Sequence, residues 1–275
     1  VENYPSFLPW CTNITIKEKN VSFENALKSA QQHGYAESNP HDDISGNDTA
    51  YKLLILANLT LGLNLTYKDI YVEGITEIES IDLKMADKLN YSLLLLGITN
   101  IKNNSIQNRV HPCLVPSGSI ISKVKNELNT VVLDGNLADK IILIGKGAGQ
   151  NPTASAVLND IIDYSKPKKK KLITEQIKNI KYKKIFMHDR KGRFYIRVVV
   201  LDSPGVLADI TAFFKRKKIS ISSMFQLEKK LSTFVQLVFV THQVNEKQLI
   251  LAIKKIEKLA KVKTKVKFIR IENNL

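Results

Sequence analysis

The stretch GYAESNPHDDISGNDTAYKLLILA, residues 34–57, sets the reading of this chain. It joins a cluster of acids, a run of turn formers and the start of a long apolar segment. The acids are Glu37, Asp42, Asp43 and Asp48, and Lys52 is the only strong base among them. SNPHDDISGN (38–47) is rich in residues that favour turns, so it is expected to be a loop. DTAYKLLILANLTLGL (48–63) has the apolar spacing of a helix buried for most of its length, over 48–62. Asn47 is placed to cap that helix, with Asp48 in its first turn. Asp48 and Lys52 are then i and i+4, on one face and one turn apart.

Such a pair is usually a plain helix salt bridge worth about 0.3–0.5 kcal/mol. Two features argue for more. The helix beyond Lys52 has almost no polar face, so Lys52 is expected to enter an apolar body. Burial pushes a lysine pKa down, and a desolvated lysine can move protons near neutral pH. Glu37 and Asp43 also crowd the same loop, and acids around one lysine suit a substrate that carries both an ammonium and a carboxylate.

These residues resemble the substrate-binding segment of the homoserine dehydrogenase family, which carries G-Y-x-E-x-[DN]-P and then D-[DV]-x-x-G-x-D-x-x-x-K at the same offsets. The resemblance continues in YVEGITEI (71–78), RVHPCLVP (109–116) and GKGAGQNPTASAVLNDI (145–161). It covers about residues 17–165, in order and in spacing. It implies NAD- or NADP-linked interconversion of L-aspartate 4-semialdehyde and L-homoserine, on the route to threonine, methionine and isoleucine. By the same resemblance Lys52 is the catalytic acid/base, and Asp48 orients it and contacts substrate. Glu37 and Asp43 also bind substrate, and Gly34, Gly147 and Gly149 lie against the cofactor. A homodimer or higher homo-oligomer and a cytoplasmic location are implied as well.

The motif GKGAGQNPTASAV is neither GxGxxG nor a P-loop. As a bare pattern it is a tight turn between the strand KIILIG and a helix opened by Pro152-Thr153. Such a turn brings backbone amides close to a phosphate or a nicotinamide ribose. No strand-GxGxxG-helix unit occurs anywhere in the chain. A homoserine dehydrogenase built on these motifs would carry its nucleotide-binding domain before residue 17. The chain is therefore expected to be the latter part of such an enzyme, with little turnover alone. The alternative is a catalytically inactive fragment acting as a dimerising, amino-acid-binding regulatory module.

Composition narrows the remaining classes. The 275 residues allow two domains, and 44% hydrophobic content is that of an ordinary globular protein. Cys11 and Cys113 make no disulfide framework. The five histidines form no HxxxH or HxH pair, so no metal site is expected. The first residues lack a signal-peptide pattern, and no apolar run reaches a membrane-spanning length. The net charge of +15 is uneven: residues 1–165 hold 13 Lys and Arg against 18 Asp and Glu, and residues 166–275 hold 28 against 8. The lysines are scattered with little aromatic interleaving, which speaks against nucleic acid and membrane as partners.

The predicted organisation follows the chain. Residues 1–16 carry no assignable pattern. VSFENALKSAQQHG is a helix capped by Ser22 and ended by Gly34. Beyond the long helix come a strand in DIYVEGI, a helix in ESIDLKMADKLN, and strands in YSLLLLGIT and SIQNRVHPCLVP. A short helix around GSIISKVK follows, then strands NTVVLDG and KIILIG. This alternation predicts an α+β fold with a mixed sheet covered by helices over 17–165. Residues 166–192 read as a basic, solvated linker. Residues 193–275 read as βαββαβ, an antiparallel four-stranded sheet with two helices on one face. Its DSPGVLA turn (202–208) resembles the ligand loop of ACT regulatory domains, which implies an amino-acid effector.

Overall fold

The computed structural model describes residues 2–3, 28, 31, 39–124, 128–135, 139–147, 149–166, 182–227 and 233–273. They divide into two compact units. The first holds residues 1–112 and 116–184, and the second holds 113–115 and 185–275. The expected fold class, α+β with a mixed sheet and a following βαββαβ unit, is what the structure shows. Among the described residues no helix is long and apolar enough to cross a membrane.

In the first unit, two long strands carry the sheet. They are β3 (Tyr91–Lys102) and β4 (Ser105–Pro116). The two-residue turn between them, Asn103-Asn104, has φ of +49 and +57, values that asparagine tolerates better than most residues. A second hairpin pairs β5 (Leu128–Gly135) with β6 (Asp139–Lys146) in antiparallel register, from Leu128↔Lys146 to Gly135↔Asp139. Glu2–Asn3 (β1) bridges the two hairpins, giving the order β6-β5-β1-β3-β4. Two short strands, β2 (Tyr71–Val72) and β7 (Lys183–Lys184), pair with β4 in parallel, so the sheet is mixed.

The helices corrected the reading of the 38–47 segment. It is not all loop, because His41–Ser45 forms a short helix, α1. Gly46, at φ +85, then turns the chain directly into α2 (Asn47–Leu61). A left-handed residue is easiest for glycine, and a Cβ here would also press on Val110 Cγ1 at 3.3 Å. The N-cap of α2 is therefore Gly46, not Asn47. α2 buries Thr49, Ala50, Leu53 and Ala57. Ala50 and Leu53 pack with Ile70, Ile75, Leu95 and Val110. Full burial of a leucine such as Leu53 contributes about 1.5–3 kcal/mol.

The strand expected in DIYVEGI shrinks to β2, and Tyr67–Asp69 winds into a 3-10 turn just before it. Thr66 and Asp69 close that turn as a capping box, with the Thr66 N–H donating to Asp69 Oδ2 at 2.8 Å. The remaining helices of this unit are α3 (Ser80–Lys88), α4 (Ile120–Lys123) and α5 (Gln150–Ser165). Part of the expected linker is also structured, since its residues Lys183–Lys184 are β7. The helix expected over 21–34 and the body of the linker fall almost entirely outside the described residues.

The second unit holds β8 (Lys191–Leu201), α6 (Val206–Arg216), β9 (Ile221–Leu227), β10 (Phe234–Thr241), β11 (Val244–Asn245), α7 (Glu246–Ile256) and β12 (Lys267–Ile271). The sheet order β12-β8-β10-β9 is antiparallel throughout. Alternate residues of β8, Phe194, Ile196, Val198 and Val200, enter one core. Val206, Ile210 and Phe214 meet them from α6 at helical spacing, and Leu249, Ala252, Ile253 and Ile256 from α7. A fully buried ion pair lies here: Arg270 Nη2 donates to Glu246 Oε1 at 2.6 Å, and both side chains are 1% exposed.

Candidate active site

The first two turns of α2 carry the candidate acid/base and its partner. Lys52 Nζ lies 2.8 Å from Asp48 Oδ2, the i,i+4 pairing that helical periodicity predicts. The environment differs from the expected one. The Lys52 side chain is 44% exposed and that of Asp48 31%, so Lys52 does not enter an apolar body. The reason is rotational. The buried face of α2 is Thr49, Ala50, Leu53 and Ala57, while Tyr51, Ile55 and Leu59 are exposed apolar residues on the Lys52 side. Both stripes are apolar in sequence, and packing selects one of them.

A polar network that sequence spacing did not reveal braces this turn. Asn47 Nδ2 donates to Asp42 Oδ1 at 3.1 Å, and the Tyr67 hydroxyl donates to Asn47 Oδ1 at 2.5 Å. The Asn47 side chain therefore ties α1 to α2, and ties both to the 3-10 turn. The Tyr67 ring also lies 5.3 Å from the Tyr51 ring. The Asn47 hydrogen bond, helped by His41, holds the Asp42 carboxyl below its ordinary range. Burial, with Tyr51 and Asp42 nearby, pushes the Tyr67 phenol up. The only cue in the sequence was the turn-forming run itself, since Tyr67 lies 20 residues from Asn47.

The other candidates divide. Asp43 is half-buried on α1, and its carbonyl accepts from the Gly46 N–H at 3.3 Å. Glu37 and Gly34 lie outside the described residues. Gly147 and Gly149 sit on a different element, the exposed turn from β6 into α5. Gly149 has φ +116 and is the N-cap residue of α5, where the Thr153 N–H donates to its carbonyl at 3.2 Å. Below α2, Asp69 anchors a further contact. Lys184 of β7 forms an ion pair with its carboxylate. Burial raises the Asp69 pKa, but the Lys184 and Thr66 bonds outweigh it and hold the carboxyl below its ordinary value.

Comparison with known proteins gives the family. The homoserine dehydrogenase family model matches residues 12–162, more than half of the chain, and the ACT domain model matches residues 194–261. A homoserine dehydrogenase of Helicobacter pylori is 38% identical over 93% of this chain and 61% of its own length. That of Neisseria gonorrhoeae is 34% identical over 94% of this chain and 61% of its own length. The crystal structure of a homoserine dehydrogenase from Thiobacillus denitrificans superposes with a TM-score of 0.88 at 33% identity, covering 99% of this chain and 63% of that one. The chain thus spans about three fifths of the length of these relatives. By the first family match, sustained across the α2 segment and the β6–α5 turn, this chain belongs to the homoserine dehydrogenase family.

Proposed function

We propose that the chain provides the substrate-holding and dimerising part of an NAD(P)-dependent homoserine dehydrogenase, with residues 17–165 as that domain and 193–275 as its ACT regulatory domain. The observation that carries the reading is the 2.8 Å Asp48–Lys52 pair, exposed at the start of α2 beside the acids of α1. An ammonium held by a neighbouring carboxylate is oriented, and its exposure leaves it open to a small molecule. Lys52 donates a proton to the oxygen of aspartate 4-semialdehyde as the carbonyl becomes an alcohol, and takes it back from homoserine in reverse. Asp48 fixes the direction of the Lys52 amine. Asp43 and Glu37 take the substrate's own ammonium.

A nicotinamide dinucleotide, when bound, supplies the hydride. The exposed backbone of the β6–α5 turn at Gly147 and Gly149 fits one edge of its nicotinamide half, and Gly34 is assigned to the same group. In the second unit, the turn at 202–208 is the place for an amino-acid effector. The sheet over 69–144 is the place for a second copy, and the exposed Ile141, Leu143 and Ile144 of β6 offer apolar surface there. The protein acts in the cytoplasm.

The test is an assay of the purified chain with NADPH and semialdehyde, alone and joined at residue 17 to a family nucleotide-binding domain. The joined protein turns over and the chain alone does not, because holding two reactants in attack geometry is worth about 7–11 kcal/mol. In the joined protein, Lys52→Ala lowers kcat by about 10²–10⁴-fold, the usual contribution of a positioned acid/base. Full activity in that variant would remove the catalytic reading and leave an amino-acid-binding dimer module.

A further inference from the structure

Asn129 stands at the start of β5, cross-strand from Gly145. Its side chain reaches past that pair to the next glycine of the turn. A Cβ at Gly147 would overlap the Asn129 Nδ2 and Cγ atoms and lie 3.2 Å from Oδ1. The carboxamide therefore occupies the space that any Gly147 side chain would need. Asn129 Oδ1 is buried there and, among the described residues, has no hydrogen-bond partner. A residue kept only to fill space would do so without an unpaired acceptor, which is costly when buried. The glycines Gly145, Gly147 and Gly149 are all exposed.

We propose that Asn129 is the positioning residue of this turn: its carboxamide braces the turn from behind and sets how Gly147 and Gly149 present their backbone to a ligand. This rests on the reading that the turn meets the nicotinamide half of a dinucleotide. The pairing is reciprocal. A side chain at 147 would have to displace the Asn129 carboxamide, and the asparagine lies where it does because 147 lacks a side chain.

The experiment uses the chain itself, with ¹⁵N NMR of the Gly145, Gly147 and Gly149 amides. Asn129→Ala shifts all three and speeds their hydrogen exchange by about tenfold, as expected for a locally loosened segment. Gly147→Ala perturbs Gly145 and Gly149 in the unaltered chain. In the Asn129→Ala background the added methyl takes the vacated space, and those two resonances move back. Should Asn129→Ala fail to fold, Asn129→Ser carries the same comparison. Unmoved amides in the single variant, or equal damage from Gly147→Ala in both backgrounds, would overturn the proposal. A second arm titrates reduced nicotinamide mononucleotide and follows the same amides. Asn129→Ala weakens binding by about tenfold, a difference that the dissociation constant reads directly, and an unchanged constant counts against the proposal. If the mononucleotide does not bind the unaltered chain, the cofactor reading of the turn fails, while the compensation result still decides the role of Asn129.

Discussion

Lys52 and Asn47 sit five residues apart on one helix, and the structure gives them opposite kinds of importance. The Lys52–Asp48 pair is partly exposed, so its contribution to stability is about 0.3–0.5 kcal/mol. Lys52→Ala should therefore leave the thermal midpoint of the chain within about a degree or two, whatever it does to proton transfer. A large loss of stability would mean that the lysine holds structure in a way its exposure does not show. Asn47 is the reverse case. It joins Asp42 and Tyr67 through one carboxamide, and Asn47→Ala removes both bonds. Each is worth about 0.5–1.5 kcal/mol net, toward the low end where water competes. Chemical denaturation should show a loss of about 1–2 kcal/mol for Asn47→Ala and about half of that for Tyr67→Phe. Equal losses would show that the Asp42 arm contributes nothing.

Short elements in this fold are held by single polar contacts. β7 has two residues, and Lys184 clips it to Asp69 in the capped 3-10 turn below α2. The Asp69 pKa is depressed in the folded state. By linkage, its contribution is fully present above the unfolded value of about 3.9 and is lost as pH falls through the folded value. Asp69→Asn should therefore be less stable than the parent at pH 7, with the gap closing below about pH 4. A gap that stays constant through that range would assign the effect to the capping bonds and not to charge. In the second unit, the buried Arg270–Glu246 pair joins β12 to the start of α7. Glu246→Gln removes the carboxylate charge from this buried pair, at a cost of about 3–5 kcal/mol. Replacing both partners with apolar residues should cost much less, and urea unfolding of the single and double variants measures the difference.

At the scale of the molecule, the surface of β6 makes a prediction. Among the described residues it is an edge strand of the first unit's sheet, and Ile141, Leu143 and Ile144 are each close to half exposed or more. A long apolar edge left in water favours association. Sedimentation at tens of micromolar should find a dimer, an outcome in reach of an interface of standard size. Ile144→Lys or Leu143→Lys should shift the species to monomer without unfolding the second unit, whose core is separate. A parent chain that sediments as a monomer would remove the sheet from consideration as the interface.

The second unit could be read in advance because its code is local and redundant. Its strands alternate apolar residues at period two, its helices repeat them at three to four, and these faces meet in one core. The Asp48–Lys52 geometry was legible for the same reason, since i,i+4 contacts follow from helix pitch alone. The environment of that pair was not. α2 is apolar on two faces, Leu53 with Ala57 and Ile55 with Leu59, and hydrophobicity alone does not choose between them. Only packing against Ile75, Leu95 and Val110 turned Lys52 outward. The polar contacts around α2 also needed the fold. Tyr67 meets Asn47 across 20 residues and Lys184 meets Asp69 across 115, and no local periodicity records contacts of that range.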